Sequence, residues 1–154
     1  MERILSIDPS SSKTGYVIAK LEKDEALPLD YGLIELKKEK QPLKRLYETL
    51  EEKILKYTIE KIILETPFYS VNAQTLIKLG EVRGVILLLA QNYNIKAEEF
   101  SPAEVKISIT GYGRSGKEEV LEMVNKIFNL NIKDYDIADA FAILHCYMLN
   151  KVGV

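Results

Sequence analysis

The sequence is poor in cysteine and histidine and has no long hydrophobic run. Its one cysteine, Cys146, excludes an internal disulfide, and together with the one histidine, His145, it falls short of a zinc-binding set. We expect both residues to serve in packing or in a partner contact. The longest strongly apolar segment, Val85 to Ala90, is too short to cross a bilayer, and the start Met1-Glu2-Arg3 leads into a strand pattern instead of a secretion signal. The expected location is the cytoplasm, without a membrane segment.

The sequence also lacks repeats, linkers, low-complexity segments and an excess of basic residues. Its 154 residues are 47% hydrophobic and 29% charged, which predicts one globular domain over residues 1–154. The formal net charge of −2 is unusual for a DNA-binding protein. If four of the 23 acids hold cations, 21 basic residues face 19 acids and the balance becomes +2. Net charge therefore does not decide the partner.

Hydrophobic periodicity predicts an α/β fold. Strand patterns cover residues 3–8, 15–19, 31–36, 61–65 and 95–100, and helical patterns begin at Pro42, about Asn72, Pro102, Lys117 and near Asp134. The first three strands predict an antiparallel meander, and the helix before residue 61 predicts a crossover to a parallel neighbour. The expected architecture is a mixed five-stranded sheet flanked by helices. The long helix from Asn72 to Asn92 is rich in Leu and Ile, so we expect it in the core or against a second subunit.

Two carboxylates follow the ends of predicted strands. Asp8 ends the first strand and precedes Pro9, and Glu65 ends the strand 61–65. If these strands are parallel neighbours, both side chains lie at one sheet edge, where open α/β sheets bind ligands. Two such carboxylates repel unless a cation is present. The alternatives are a turn-forming Asp-Pro pair at Asp8 and a solvated Glu65 beyond its strand.

The last helix carries two more acids in an apolar setting. Asp136 and Asp139 lie three residues apart, so they project about 60° from one another on a helix that is otherwise apolar on nearly every side. Like charges there are costly unless they are paired or bound to metal. A simpler interpretation makes Asp134 the helix cap and lets Asp136 favour the positive end of the helix dipole, but it explains Asp139 poorly.

Asp8, Glu65, Asp136 and Asp139 together predict an oxygen-only site, which suits Mg²⁺ or Mn²⁺. A pair of such ions roughly 4 Å apart activates water and stabilises the leaving oxygen in phosphodiester hydrolysis. Lys106 and Lys117, on either side of the glycine-rich loop 111–117, are candidates for steadying the phosphate charge. Each of these lysines is otherwise an ordinary solvated side chain.

In their order along the chain, these motifs resemble the RuvC family of Holliday junction resolvases. The residues that carry the resemblance are Ile7-Asp8-Pro9, Thr14-Gly15-Tyr16, Glu65, Phe68, Asn72-Ala73, Lys78-Leu79-Gly80, Arg83-Gly84, Lys106, Gly111, Gly113, Lys117 and Asp136-Ile137-Ala138-Asp139-Ala140. They extend over nearly the whole chain, so the resemblance is specific.

The resemblance implies a ribonuclease H-like fold and a DNA endonuclease of homologous recombination and DNA repair that resolves four-way junctions. In that family the matching acids bind the catalytic metals, and the residues matching Lys106 and Lys117 serve DNA binding and catalysis. The aromatic that matches Phe68 stacks on bases at the opened junction; the alternative here is a packed loop residue. We also expect Arg114, in the glycine-rich loop, to contact DNA. The resemblance further implies a two-fold homodimer that nicks strands of like polarity and works beside the RuvAB branch-migration machinery.

Three alternatives stay open on the sequence. The segment 8–15 resembles the phosphate loop of actin and sugar-kinase domains, but those proteins need two such domains around a cleft. A non-catalytic junction-binding module would not require four acids at this spacing. A related nuclease acting on flaps or RNA hybrids would use the same acids, because the phosphodiester chemistry is the same.

Overall fold

The five predicted strands form one mixed sheet. The computed structural model describes residues 2–67 and 72–151. In the described chain the strands are β1 (Glu2–Asp8), β2 (Lys13–Glu22), β3 (Glu25–Glu35), β4 (Lys61–Glu65) and β5 (Lys96–Phe100), in the order β3-β2-β1-β4-β5. The first three strands pair antiparallel, whereas β4 runs parallel to both β1 and β5. The predicted meander and the predicted crossover between β3 and β4 are both confirmed.

Within residues 2–67 and 72–151 five helices accompany the sheet, and local sequence explains how most of them begin and end. They are α1 (Pro42–Tyr57), α2 (Ala73–Asn92), α3 (Pro102–Thr110), α4 (Lys117–Phe128) and α5 (Tyr135–Lys151). Asn72 caps α2 by accepting from the Thr75 amide at 2.8 Å, and Ser101 caps α3 by accepting from the Glu104 amide at 3.1 Å. Gly111 ends α3 in the left-handed conformation, at φ 83°.

In the part of the chain that the structure describes, alternating strand residues supply one hydrophobic core on each face of the sheet. One core joins the sheet to α3, α4 and α5, and Phe141 is its largest fully buried side chain. The other joins the sheet to α1 and α2. Cys146 is buried in the first core, and His145 packs edge-on against Phe128 with ring centroids 6.3 Å apart, as the packing role predicts.

Helix α2 is only half buried. Its core-facing residues include Val82, Ile86 and Leu89, whereas Ile77 is 66% exposed and Leu88 is 52% exposed. The helix is therefore apolar on a face that the rest of the described chain does not cover.

None of the helices among residues 2–67 and 72–151 combines the length and apolar character that a bilayer span requires.

Candidate active site

Asp8 and Glu65 end neighbouring parallel strands, so they lie at the same edge of the sheet. The β1–β4 register pairs Ile7 with Leu64, one residue before each acid. Both acids are partly buried. On the other side of β1, Asp8 lies opposite Gly15 of the antiparallel strand β2. The geometry expected from the two strand patterns is therefore present.

Helix α5 brings the other two acids to this edge through two close contacts with the sheet. The buried Ser6 hydroxyl of β1 donates a 2.7 Å hydrogen bond to the Ala140 carbonyl. At Gly15 the Asp136 backbone lies so close that an added methyl group would overlap its carbonyl. Glycine is therefore needed in β2 for the first turn of α5 to reach β1.

Asp134 caps α5 and does not belong to the tight acidic group. Its carboxylate accepts from the amides of Asp136, at 2.8 Å, and Ile137, at 3.1 Å. This bonding satisfies two of the amides that a helix start leaves free. The capping role expected for Asp134 is confirmed, which leaves Asp136 and Asp139 available for another role.

Asp8, Asp136 and Asp139 form a cluster in which one carboxylate oxygen from each lies within 4.8 Å of the others. Glu65 lies outside this three-residue group but close enough to interact electrostatically with Asp8 and Asp139. The structure thus brings three of the predicted acids into one cluster and places the fourth beside it. An all-carboxylate donor set of this kind fits a hard divalent cation such as Mg²⁺.

Burial and mutual repulsion raise the pKa values of Asp8, Glu65 and Asp139 when no cation is bound. Burial raises the pKa of Asp8 well above its ordinary value, and the charges of Asp139 and Glu65 raise it further. Burial and the charge of Asp139 raise the pKa of Glu65 to about 7. Burial and the charge of Asp136 raise the pKa of Asp139 to about 7. Each ionised acid is therefore costly here, and a bound cation relieves that cost.

Two lysines counter the negative charge from different sides. The ammonium of Lys106, on α3, lowers the pKa values of Glu65 and Asp139 and opposes part of the effect of burial. Lys13, at the start of β2, lies 3.1 Å from Asp134 and 3.5 Å from Asp136. Lys106 therefore lies close enough to Glu65 and Asp139 to act on their charges, whereas Lys13 holds the start of α5.

The other predicted site residues are less enclosed or lie outside the described chain. Lys117 is exposed at the first position of α4, with its ammonium 4.9 Å from the centre of the Tyr135 ring. Arg114 is exposed in the loop before α4. Phe68 lies outside the described residues.

Three residues to which the sequence analysis assigned no role shape the site. They are Lys13, Tyr135 and Arg83, whose guanidinium donates to the Glu65 carbonyl at 2.9 Å and to the Glu99 carboxylate at 2.6 Å. The antiparallel β1–β2 hairpin was a usable signal for Lys13, since it returns the chain to the edge where Asp8 lies. The contacts of Arg83 and Tyr135 depend on helix packing, for which the sequence carries no short-range pattern.

Comparison with known proteins identifies the family. Residues 4–147 match the family model described as Crossover junction endodeoxyribonuclease RuvC. A relative of that name from Chloroherpeton thalassium is 43% identical over 148 residues, which cover 92% of this chain and 79% of the relative. Another from Caldanaerobacter subterraneus is 37% identical over 161 residues and covers 98% of both chains.

Solved structures agree on the fold. Thermus thermophilus RuvC, solved in complex with a Holliday junction substrate, superimposes with a TM-score of 0.88 at 23% identity, covering 99% of this chain and 97% of that one. The yeast mitochondrial Holliday junction resolvase superimposes with a TM-score of 0.70 at 14% identity, covering 96% and 78%. The mixed sheet is thus the ribonuclease H-like fold of these resolvases. On the family match and the identity over nearly its whole length, the chain belongs to the RuvC family of crossover junction endodeoxyribonucleases.

Proposed function

We propose that this chain is a single nuclease domain that cuts four-way DNA junctions, with Asp8, Glu65, Asp136 and Asp139 holding the divalent cations of its active site. The observation that carries the proposal is the convergence of three carboxylates within 4.8 Å at a partly buried sheet edge. Family membership supplies the substrate class, because the relatives are named crossover junction endodeoxyribonucleases.

Magnesium is the cation we propose, with Mn²⁺ as a substitute and two ions per site. The donors are carboxylate oxygens, which suit both ions, and no histidine or cysteine belongs to the described cluster. When bound, such ions supply an activated water and neutralise charge on the scissile phosphate. The carboxylates must then be ionised, a state that Lys106 favours by lowering the pKa values of Glu65 and Asp139.

Three basic residues are proposed to contact the DNA. Lys106 lies close to two of the acids and would steady the negative charge of the phosphate during cleavage. Arg114, in the loop before α4, and Lys117, at the first position of α4, are both exposed, so a phosphate backbone can approach them. Phe68 is proposed, from the family resemblance alone, to stack on bases of the opened junction.

The cleavage assay compares a labelled four-way junction, a flap and a linear duplex, each with and without Mg²⁺. We expect paired symmetric nicks on the junction only, and only with Mg²⁺. Asp8→Asn, Glu65→Gln and Asp139→Asn should each abolish cleavage while junction binding persists, because each removes a ligand without changing the rest of the DNA surface. Glu22→Gln, at the exposed end of β2, and Asp24→Asn, in the turn that follows it, are matched controls. Unchanged cleavage by all three site variants would refute the assignment, and preferential cutting of flaps would favour the alternative nuclease.

A homodimer through α2 is proposed as the working form. Ile77, Gly80, Gly84 and Leu88 recur every three or four residues, so they share one face of the helix. Ile77 and Leu88 are exposed, and a methyl group added at either glycine would meet nothing within 4 Å. An uncovered apolar stripe with two glycines permits close approach of a second copy of the helix. A two-fold dimer would place two identical active sites on one junction, which is the arrangement that the expected paired cuts require.

Light scattering with chromatography tests the dimer. Leu88→Glu should give a monomer that makes no paired cuts, because it places a charge in the proposed interface. Leu55→Glu, at a similarly exposed position of α1, is the control and should stay dimeric. A dimeric Leu88→Glu variant would contradict the proposed interface.

Association with RuvAB and a cytoplasmic location stay predictions. Co-purification from cells would check the association, and cell fractionation would check the location.

A further inference from the structure

The backbone that carries Lys117 is held in place, whereas its side chain is exposed. Ser115 is 2% exposed, and the Thr110 hydroxyl donates to its hydroxyl oxygen at 2.8 Å. The Gly116 amide, at the cap of α4, donates to the Glu119 carboxylate at 3.2 Å. These contacts fix the backbone from which the Lys117 side chain extends. They do not hold the ammonium at the end of that side chain in one position. Another contact is needed to limit the positions that this ammonium takes.

The aromatic ring of Tyr135 supplies that contact. The Lys117 ammonium lies 4.9 Å from the ring centre, within the range of a cation–π interaction. Tyr135 is the first residue of α5 and immediately precedes Asp136 of the acidic cluster. Its hydroxyl lies 3.5 Å from the carboxylate of Glu118, the residue that follows Lys117. The ring therefore connects the start of α4 to the turn of α5 that carries two of the acids.

The neighbouring carboxylates do not neutralise this lysine. Among residues 2–67 and 72–151, no carboxylate lies within 4.0 Å of its ammonium, and the nearby helix-start acids Asp134 and Asp136 pair with Lys13. Glu119 is bonded to the Gly116 amide. An aromatic face attracts a cation through its quadrupole but carries no net charge. Lys117 is thus held without losing the positive charge that a phosphate would meet.

We propose that Tyr135 is a positioning residue for the reaction, which holds the Lys117 ammonium against the first turn of α5 without forming an ion pair with it. The inference rests on the proposed role of Lys117 in binding or cleaving DNA. Tyr135 itself need not touch the substrate. Its contribution is to reduce the number of positions that the lysine samples before the phosphate arrives.

A double-mutant cycle tests the inference through single-turnover cleavage of a four-way junction. Tyr135→Leu should slow cleavage by about two- to tenfold, as expected from losing one cation–π contact. The same change in a Lys117→Met background should have no further effect, because the residue acts through the lysine. Tyr135→Phe keeps the aromatic face and should restore most of the rate. Tyr57→Leu removes the ring beside Lys56 at 5.3 Å, on α1, and is the matched control.

A spectroscopic measurement separates positioning from a merely structural role. In the unaltered protein the Tyr135 ring current should move the ε-methylene proton resonances of Lys117 upfield, and Tyr135→Phe should keep that shift. Unshifted Lys117 resonances, or equal losses of rate in both backgrounds of the cycle, would overturn the inference. Because the spectra use the unaltered chain, the test holds even if Tyr135→Leu does not fold. Loss of cleavage on Lys117→Met without any effect of Tyr135→Leu would defeat this inference alone, whereas full activity of Lys117→Met and Asp8→Asn would defeat the proposed function.

Discussion

Without a divalent cation, the protein should become less stable as the pH rises from 5 to 8. The pKa of Glu65 is raised from 4.5 to about 7, and that of Asp139 from 3.8 to about 7. A group whose pKa is higher in the folded state binds more protons there between the two pKa values. Its stabilising contribution is therefore complete below about pH 4 and is lost as the pH rises to about 7.

The size of the effect follows from the Glu65 pKa. At about 1.4 kcal/mol per pH unit, the difference between 4.5 and about 7 corresponds to about 3 kcal/mol. Asp139 shares the same repulsions, so its contribution does not simply add. For a domain of this size, about 3 kcal/mol corresponds to roughly 6–12 °C in the melting temperature.

Thermal unfolding in EDTA, measured at half-unit steps from pH 5 to 8, checks this expectation. Glu65→Gln should raise the melting temperature at pH 8 and flatten the pH dependence, because it removes one of the repelling carboxylates. Glu22→Gln, at a position 60% exposed, should leave the curve unchanged. Added Mg²⁺ or Mn²⁺ should stabilise the protein more at pH 8 than at pH 5, because binding needs ionised acids. A melting temperature that stays level or rises with pH in EDTA would refute the reasoning.

Three further substitutions test other parts of the site. Gly15→Ala should lower the free energy of unfolding by about 2 kcal/mol and impair cleavage, because its methyl group would overlap the Asp136 carbonyl. Chemical denaturation measures the change in stability. A loss of stability no larger than that of Gly113→Ala would contradict the expectation. Lys13→Met should lower the melting temperature in EDTA, because it removes a cation from beside Asp134 and Asp136. For the same reason it should enlarge the rise in melting temperature that Mg²⁺ causes. An unchanged rise would contradict a role of Lys13 in countering the negative charge. Phe68→Ala should slow cutting of intact junctions more than of nicked ones, and equal slowing of both substrates would rule out a role in opening the junction.

Local sequence was sufficient to predict the elements and the acids that they carry. The strand 61–65 and the starts of α1 and α4 agree with the structure, because strand periodicity, Pro42 and the loop before Lys117 act on adjacent residues. Asn72, Ser101 and Gly111 likewise mark helix ends through contacts within a few residues.

The sequence by itself determined that Asp8 and Glu65 each end a strand and that Asp136 and Asp139 share a helix, and the structure showed the two strands to be parallel neighbours. Only the tertiary structure decided that Asp8, Asp136 and Asp139 cluster, that Glu65 lies just outside them, and that Lys13 and Tyr135 complete the surroundings. The physical reason is that hydrophobic period and capping are properties of neighbouring residues. The distance between a strand end and a helix start depends on how α5 packs over β1 and β2, through the Ser6 hydroxyl and the missing side chain of Gly15.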